Sequence, residues 1–391
     1  MTVPLLRKSD GGAGGVPNPS APGFPDRLLA LTSIRFWLAL GVVLFHYQLN
    51  MVAEDGAGLA LIERARLAVD FFFILSGFVL AHAYGRQVEN GAYSHRRSLI
   101  ARLARIYPAH LAMMALMVVI VLAAVALGQP FDAESYDLEG FLAALFLVHA
   151  WTPSLAPNEW NGPSWSLSAE WAACLAFPVF AWAGLQARRN PWMVAGAAAA
   201  LLIALDAVYR WRFGDLLTHA ELNFGVLRIV PEFLLGIGLY RLGERLHWSR
   251  RISVVMAALS LCILIALMSV SADERLIVGA AGLVILCLAM LSRAQADRPF
   301  AHPWLLEAGE ASYALYLLHL PLLILWKNGI ALTAGLDSSY RLPVPEAAAL
   351  LILTLCCAFA LHSLVERPAR RWAGRRFLRP LPSHPLEKGH S

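Results

Sequence analysis

The apolar residues of this chain fall in long blocks that are separated by short polar stretches. A helix needs about 20 apolar residues to cross the roughly 30 Å hydrocarbon core of a bilayer, and several blocks approach or reach that length with few charges. The pattern predicts an all-α, polytopic transmembrane bundle of about ten helices. The spans are placed near residues 29–50, 67–84, 99–128, 165–184, 191–210, 225–241, 252–270, 276–292, 306–331 and 346–364.

One apolar segment, residues 141–151, does not fit this series because it is too short to cross a bilayer. Counting it as a span would also move Arg188 and Arg189 to the outer side, against the preference of basic residues for the cytoplasm. We therefore expect a re-entrant or interfacial segment that packs on the outer side of the bundle.

The basic residues predict the orientation, because cytoplasmic loops are enriched in Lys and Arg. Alternate loops hold clusters such as Arg96 with Arg97, and Arg250 with Arg251, whereas an opposite loop holds Asp137 and Glu139. Both termini are predicted to be cytoplasmic. We expect a disordered, Gly- and Pro-rich tail over residues 1–28, one membrane domain over 29–372 and a basic tail over 373–391.

Composition narrows the class of protein further. The chain is 58% hydrophobic and 15% charged, which disfavours a soluble fold. Its net charge of +5 arises from clusters beside the spans, so it indicates membrane orientation and not a nucleic-acid partner. All five cysteines lie in apolar segments without metal-ligand spacing, which predicts neither a zinc site nor a disulfide framework.

Arg35 and His46 lie in the first predicted span, eleven residues apart. At about 100° per residue both side chains point the same way, about 16 Å apart in depth. A charged group at such depth costs at least about 2.5–3.5 kcal/mol and is normally functional. The alternatives are that Arg35 reaches the headgroups and that His46 is a hydrogen-bonded core histidine.

Two carboxylates are predicted at the depth of His46. Asp70 lies at the start of the second span, where it could orient the imidazole of His46. The equally weighted alternative is that Asp70 caps the outer N-terminus of that helix. Glu170 lies about one turn below the outer interface, with Ser168 close by. These positions predict a polar site in the outer half of the membrane.

Other polar residues are secondary candidates or cytoplasmic ones. His319 lies in the ninth span near Tyr313. A catalytic role and a hydrogen bond that packs two helices together are equally good interpretations of this histidine. Arg102 and Arg105 are three residues apart and share a helix face, so they could together bind a phosphate; topology signalling is the alternative.

Together these residues resemble the acyltransferase 3 family of membrane-bound acyltransferases, which modify carbohydrates and other hydroxylated acceptors. The matching pieces are Arg35 with His46, Val69–Phe78, Arg102–Pro108, Trp165–Ser168 with Glu170, Gly309–His319 and Glu366–Pro368. The resemblance implies an acyl-coenzyme A donor on the cytoplasmic side, with acetyl-CoA as the commonest choice, and transfer to a hydroxyl group. It also implies a catalytic role for His46 with Arg35, and it places the family's arginine pair on Arg102 and Arg105.

We therefore expect a stand-alone enzyme of a bacterial inner membrane that needs no metal. His46, oriented by Asp70 or Glu170, would take the proton of an acceptor hydroxyl on a glycan, a glycolipid or a related molecule such as a secondary metabolite. An acyl-histidine intermediate remains an alternative. A transporter or flippase is the rival class, but we find no inverted repeat in the sequence.

Overall fold

The computed structural model describes residues 23–53, 56–128, 134–153, 160–335 and 340–377. These residues form α-helices that are joined by loops and short 3₁₀ turns. The helices are α1 Leu29–Met51, α2 Ala60–Glu63, α3 Ala68–Glu89, α4 His95–Ala126, α5 Leu138–Leu145, α6 Trp165–Leu175, α7 Phe177–Arg189, α8 Pro191–Phe213, α9 Gly225–Arg245, α10 Arg250–Ser269, α11 Glu274–Arg293, α12 Pro303–Ala334, α13 Val344–Leu361 and α14 Arg367–Phe377.

Most of these helices are long and apolar enough to cross a membrane. Among the described residues eight helical segments meet that condition, and the pair α6–α7 makes a ninth, with a bend of 64° between its halves. The bend follows from the break after Leu175 and from Pro178, which stands in the first turn of α7. The chain is thus an integral membrane protein, and the predicted all-α polytopic bundle is confirmed.

The remaining predicted span, residues 225–241, lies in α9, which does not meet the same condition because it carries charged residues such as Arg228, Glu232 and Arg241. It packs against α3, α6, α7, α8 and α11. Neighbouring helices therefore shield these charges from lipid, which is where charged residues are tolerated in a membrane.

Of the segment predicted not to cross the membrane, residues 141–145 lie in α5, which has only eight residues, and residues 146–151 form turns and loop. At 1.5 Å per residue α5 is about 12 Å long, so it cannot span the hydrocarbon core.

Two glycines allow the helices that build the site to approach closely. A Cβ added to Gly77 of α3 would lie 2.0 Å from the carbonyl oxygen of Phe233 in α9. A Cβ added to Gly309 of α12 would lie 2.1 Å from the carbonyl oxygen of Thr32 in α1. Any larger residue at either position would force two backbones apart, so the pairs α3–α9 and α1–α12 depend on these glycines.

The ends of the membrane domain differ from the predicted boundaries. Phe24 and Leu28, which we placed in the N-terminal tail, are buried, and the Phe24 ring packs against Phe78 and Tyr240. At the other end α14 continues to Phe377, beyond the predicted limit of 372. Residues 1–22 and 378–391, which hold the rest of both predicted tails, lie outside the described residues.

Candidate active site

A cavity lies between α1, α3, α4, α6 and α12. It encloses about 660 Å³, including the space at its mouth. Its lining combines apolar side chains with a group of polar and charged ones: Arg35, Ser76, Arg105, Ser166, Glu170, Ser312, Tyr313 and Tyr316. Arg35, Arg105 and Glu170 are three of the predicted site residues, and the fold brings them together from three different helices.

The two cavity arginines carry charges without partners. Arg35 is only 7% exposed, and the charge of Arg105 acts on it across the cavity. Within the part of the chain that the structure describes, neither guanidinium has a hydrogen bond or an ion pair. Arg105 is half-buried, and the charges of Glu170 and Glu366 act on both guanidiniums without forming an ion pair with them. Two like charges that are shielded from water and form no ion pair are costly. Their arrangement therefore favours an anionic ligand.

Arg102 has a different environment from Arg105, although both belong to α4. Its Nη1 donates to Glu170 Oε1 at 3.1 Å, and the Ser76 hydroxyl donates to the same oxygen at 3.0 Å. Arg102 is not among the residues that line the cavity. We predicted that both arginines bind one phosphate together; in the structure only Arg105 lines the cavity, whereas Arg102 binds a carboxylate.

The same contacts correct the predicted position of Glu170. We placed it beside His46, but its described partners are Arg102 and Ser76. The span predicted over residues 165–184 is broken after Leu175, but Glu170 lies before this break. Its partners are set by the helices that pack against α6, which include α3 and α4.

His46 forms a pair with His319. Nδ1 of His319 lies 2.6 Å from the Tyr316 carbonyl oxygen, and Nε2 of His319 lies 3.1 Å from Nδ1 of His46. Nδ1 of His46 also lies 2.9 Å from the Val42 carbonyl oxygen. Because a carbonyl only accepts, each ring carries its proton on Nδ1, so Nε2 of His319 accepts from His46. This assignment leaves Nε2 of His46 unprotonated and able to act as a base.

Tyr316 connects this pair to the cavity. Its ring lies 5.9 Å from that of His319, and its hydroxyl lies 2.9 Å from that of Ser166. Tyr316 and Ser166 both line the cavity, whereas His46 does not. The histidine pair therefore adjoins the end of the cavity that these two hydroxyl groups mark. Arg35 and His46 both lie on the side of α1 that faces α12, as the helix periodicity predicts.

Asp70 does not meet His46, contrary to our prediction. Its Oδ1 accepts from Nε of Arg228 at 2.8 Å, and its Oδ2 accepts from Nη2 of the same guanidinium. Asp70 is fully buried and Arg228 is 2% exposed. Glu232 lies close to this pair on α9. Sequence spacing could not reveal this contact, because Arg228 lies 158 residues further along the chain.

The remaining candidates divide between the cavity and the scaffold. Tyr313 lines the cavity, and its hydroxyl donates to the Ile106 carbonyl at 2.7 Å. Ser168 does not line it; its hydroxyl donates to the Leu147 carbonyl at 2.8 Å and accepts from the Ala150 amide at 3.2 Å. Ser168 thus fixes the loop after α5. Sequence reasoning missed Tyr316, which stands three residues before His319.

Comparisons with known proteins agree on one family. The acyltransferase domain family matches residues 28–363. Acyltransferase MdmB of Streptomyces mycarofaciens is 31% identical over 386 residues, which cover 92% of this chain and 95% of that protein. Protein 2 in picA locus of Rhizobium radiobacter is 40% identical over 106 residues, which cover 27% of this chain and 52% of that protein. No solved structure matches the chain significantly. With a family match over nearly the whole membrane bundle, the chain belongs to the acyltransferase 3 family and is a membrane-bound acyltransferase.

Proposed function

We propose that this enzyme transfers an acyl group, acetyl in the simplest case, from acyl-coenzyme A to a hydroxyl group of a glycan, a glycolipid or a related acceptor. One observation carries the proposal: Tyr316 lines the cavity that holds Arg35 and Arg105 and also packs against His319, which in turn contacts His46, the candidate base. Donor binding and proton transfer thus have separate groups, held about 16 Å apart along α1.

Arg35 and Arg105 bind phosphate groups of the donor in this proposal. Coenzyme A carries its negative charges on the nucleotide and its thioester at the end of a long pantetheine arm. With the phosphates at the two guanidiniums, the arm follows the cavity toward Tyr316 and Ser166. Arginine suits this task, because its planar fork donates two parallel hydrogen bonds to a phosphate. The donor enters from the cytoplasmic side of a bacterial inner membrane, in keeping with the predicted orientation.

His46 acts as the general base. Its Nε2 takes the proton of the acceptor hydroxyl while the oxygen attacks the thioester carbonyl carbon. The carbon–sulfur bond then breaks, and the protonated imidazole returns its proton to the leaving coenzyme A thiolate. His319 is a positioning residue here, because it accepts from Nδ1 of His46 and fixes the orientation of the ring.

Tyr316 and Ser166 are placed to help at the reacting carbonyl. Their hydroxyl groups share a hydrogen bond at the end of the cavity that adjoins His319. A hydroxyl directed at the thioester oxygen would stabilise the negative charge that develops during attack. Asp70 and Glu170 serve this site indirectly, since each binds an arginine of a neighbouring helix, although Glu170 itself lines the cavity.

The test uses membranes from cells that express the chain and acetyl-coenzyme A that is radiolabelled in the acetyl group. Wild-type membranes are expected to transfer label to lipid-linked or carbohydrate material. His46→Ala should abolish this transfer at an unchanged level of inserted protein. His247→Ala is the matched control, because His247 is exposed and lies between α9 and α10, away from the cavity. Label transfer that survives in His46→Ala would remove His46 from the mechanism.

A further inference from the structure

The end of the last span forms a charged extension of the bundle. α13, a π-helical turn over His362–Glu366 and α14 follow one another as a helical segment of 34 residues, Val344–Phe377. Such a helix is about 51 Å long, so roughly 20 Å exceeds the hydrocarbon core. The excess is α14, which carries five arginines and packs against α4. α14 therefore lies beside the helix that supplies Arg105.

An ion pair fixes the start of α14 near the mouth of the cavity. Arg367 donates to Glu307, which lies in the first turns of α12. Ser312 and Tyr316, which line the cavity, lie about one and a half and two and a half turns further along the same helix. The first turn of α14 thus lies at the entrance and not at the reacting end.

Arg370 stands one turn after Arg367 and contributes to the charge of the cavity. It lies close enough for its charge to act on both Arg35 and Arg105. It is half-buried, and none of the described residues forms a hydrogen bond or an ion pair with it. Glu366 is the nearby anion, and its carboxylate is bound by Nδ1 of His362 at 2.6 Å.

The local charges do not balance. Among the described residues, the charges that act most strongly on Arg35 and Arg105 come from these two arginines themselves, from two further arginines and from two carboxylates, so this group has two more positive than negative charges. The arginines are Arg35, Arg102, Arg105 and Arg370, and the carboxylates are those of Glu170 and Glu366. An excess of this kind, partly buried, favours a ligand with more than one negative charge.

We propose that Arg370 binds the 3′-phosphate of the coenzyme A nucleotide at the mouth of the cavity, while Arg35 and Arg105 bind its diphosphate further in. This inference rests on the proposed donor. The 3′-phosphate is a monoester that carries up to two charges, and it lies on the ribose, at the opposite end of the molecule from the thioester. A residue at the entrance is therefore the one that meets it when the thioester reaches Tyr316.

The experiment compares coenzyme A with dephospho-coenzyme A, which lacks only the 3′-phosphate. The full chain is placed in nanodiscs of phosphatidylcholine, which offer no anionic headgroup, and both dissociation constants are measured. Wild type is expected to prefer coenzyme A by roughly 10- to 100-fold, the value of a charge-assisted hydrogen-bonded contact. Arg370→Ala should lose this preference by weakening coenzyme A binding alone. Retained binding of dephospho-coenzyme A shows that the variant is folded.

Arg371→Ala is the matched control, because it removes the same charge from the adjacent, exposed position of the same helix. It should leave both dissociation constants unchanged. Equal losses in the two variants, or an equal loss for both ligands in Arg370→Ala, would overturn the inference in favour of a diffuse electrostatic effect. An effect of Arg370 that appears only after phosphatidylglycerol is added would make a lipid headgroup the ligand and would also overturn it.

The result separates this inference from the proposed function. If Arg105→Ala weakens the binding of both ligands and Arg370→Ala weakens the binding of neither, the proposed donor site is supported and the proposed role of Arg370 is wrong. If wild-type protein binds neither ligand, the proposed donor itself is wrong.

Discussion

The ion pair between Asp70 and Arg228 gives the sharpest prediction about this bundle, because it separates a structural carboxylate from a catalytic one. Both oxygens of Asp70 are bound by the Arg228 guanidinium, and the two side chains are 0% and 2% exposed. Arg228 also lies 5.2 Å from the ring of Trp165. Asp70→Asn removes the carboxylate that binds the guanidinium and leaves Glu232 and Glu221, neither of which is hydrogen-bonded to Arg228, as the nearby carboxylates.

The size of the effect follows from this burial. Removal of one partner from a fully buried pair costs about 3–5 kcal/mol, since the remaining charge keeps its desolvation cost. We expect the free energy of unfolding of Asp70→Asn to fall by about that amount. The double variant Asp70→Asn with Arg228→Gln removes both charges and keeps a hydrogen-bonding pair, so it should recover most of the loss.

The assay is reversible unfolding in mixed micelles with increasing dodecyl sulfate, followed by tryptophan fluorescence. Turnover is measured in parallel and is expressed per folded molecule. Because the described partners of His46 are Val42 and His319, folded Asp70→Asn should lose much less than the about 10²–10⁴-fold expected on loss of a general base. The double variant should regain stability and activity together.

One result would refute this reasoning. If Asp70→Asn unfolds like wild type but loses turnover by two orders of magnitude or more, Asp70 acts in the chemistry. The double variant gives an independent check, since a catalytic Asp70 would leave it stable and inactive.

Four further predictions concern the donor, the base, the orientation and the acid sensitivity of the protein. His46→Ala should lower kcat and kcat/KM together by about 10²–10⁴-fold in steady-state kinetics, because a general base acts in the transition state. Arg105→Ala should mainly raise the apparent KM for acyl-coenzyme A, with only partial rescue by lysine; an unchanged KM would contradict phosphate binding. A reporter in the loop between α4 and α5 should be extracytoplasmic and one after Phe377 cytoplasmic, and the same side for both would mean a miscounted span. Burial lowers the pKa of His149, in the loop before α6, from 6.5 to about 4. The unfolded state then binds more protons between these values, so stability should be complete above pH 6.5 and decline toward pH 4, and His149→Gln should flatten that part of an unfolding-versus-pH profile.

The helices and the single-helix relationships could be predicted because they depend only on local geometry. Blocks of apolar residues have to be about as long as the hydrocarbon core, so their lengths revealed most of the spans. The common face of Arg35 and His46 follows from the helical period, and both residues face α12 in the structure. The charged helix α9 was also predicted as a span from its apolar residues. Its charges are tolerated because five helices surround it.

The errors at the site all concern contacts between helices. Asp70 and Arg228 are 158 residues apart, and His46 and His319 are 273 residues apart. No pattern along the chain predicts which helices are neighbours or which residues of two neighbouring helices come into contact. We paired Asp70 and Glu170 with His46 by assuming straight helices at equal depth, whereas in the structure Asp70 pairs with Arg228 and Glu170 with Arg102.

The sequence by itself thus determined the membrane class, the family resemblance and the residues that carry charge inside the bilayer, because a polar group in hydrocarbon stands out wherever it occurs. Only the tertiary structure decided how those charges are distributed. Asp70 and Glu170 form ion pairs with Arg228 and Arg102, while Arg35 and Arg105 line the cavity without an ion pair among the described residues. The physical reason is packing: contacts such as that of Gly309 with the backbone of α1 set which helices meet, and the balance of charges is a sum over those neighbours.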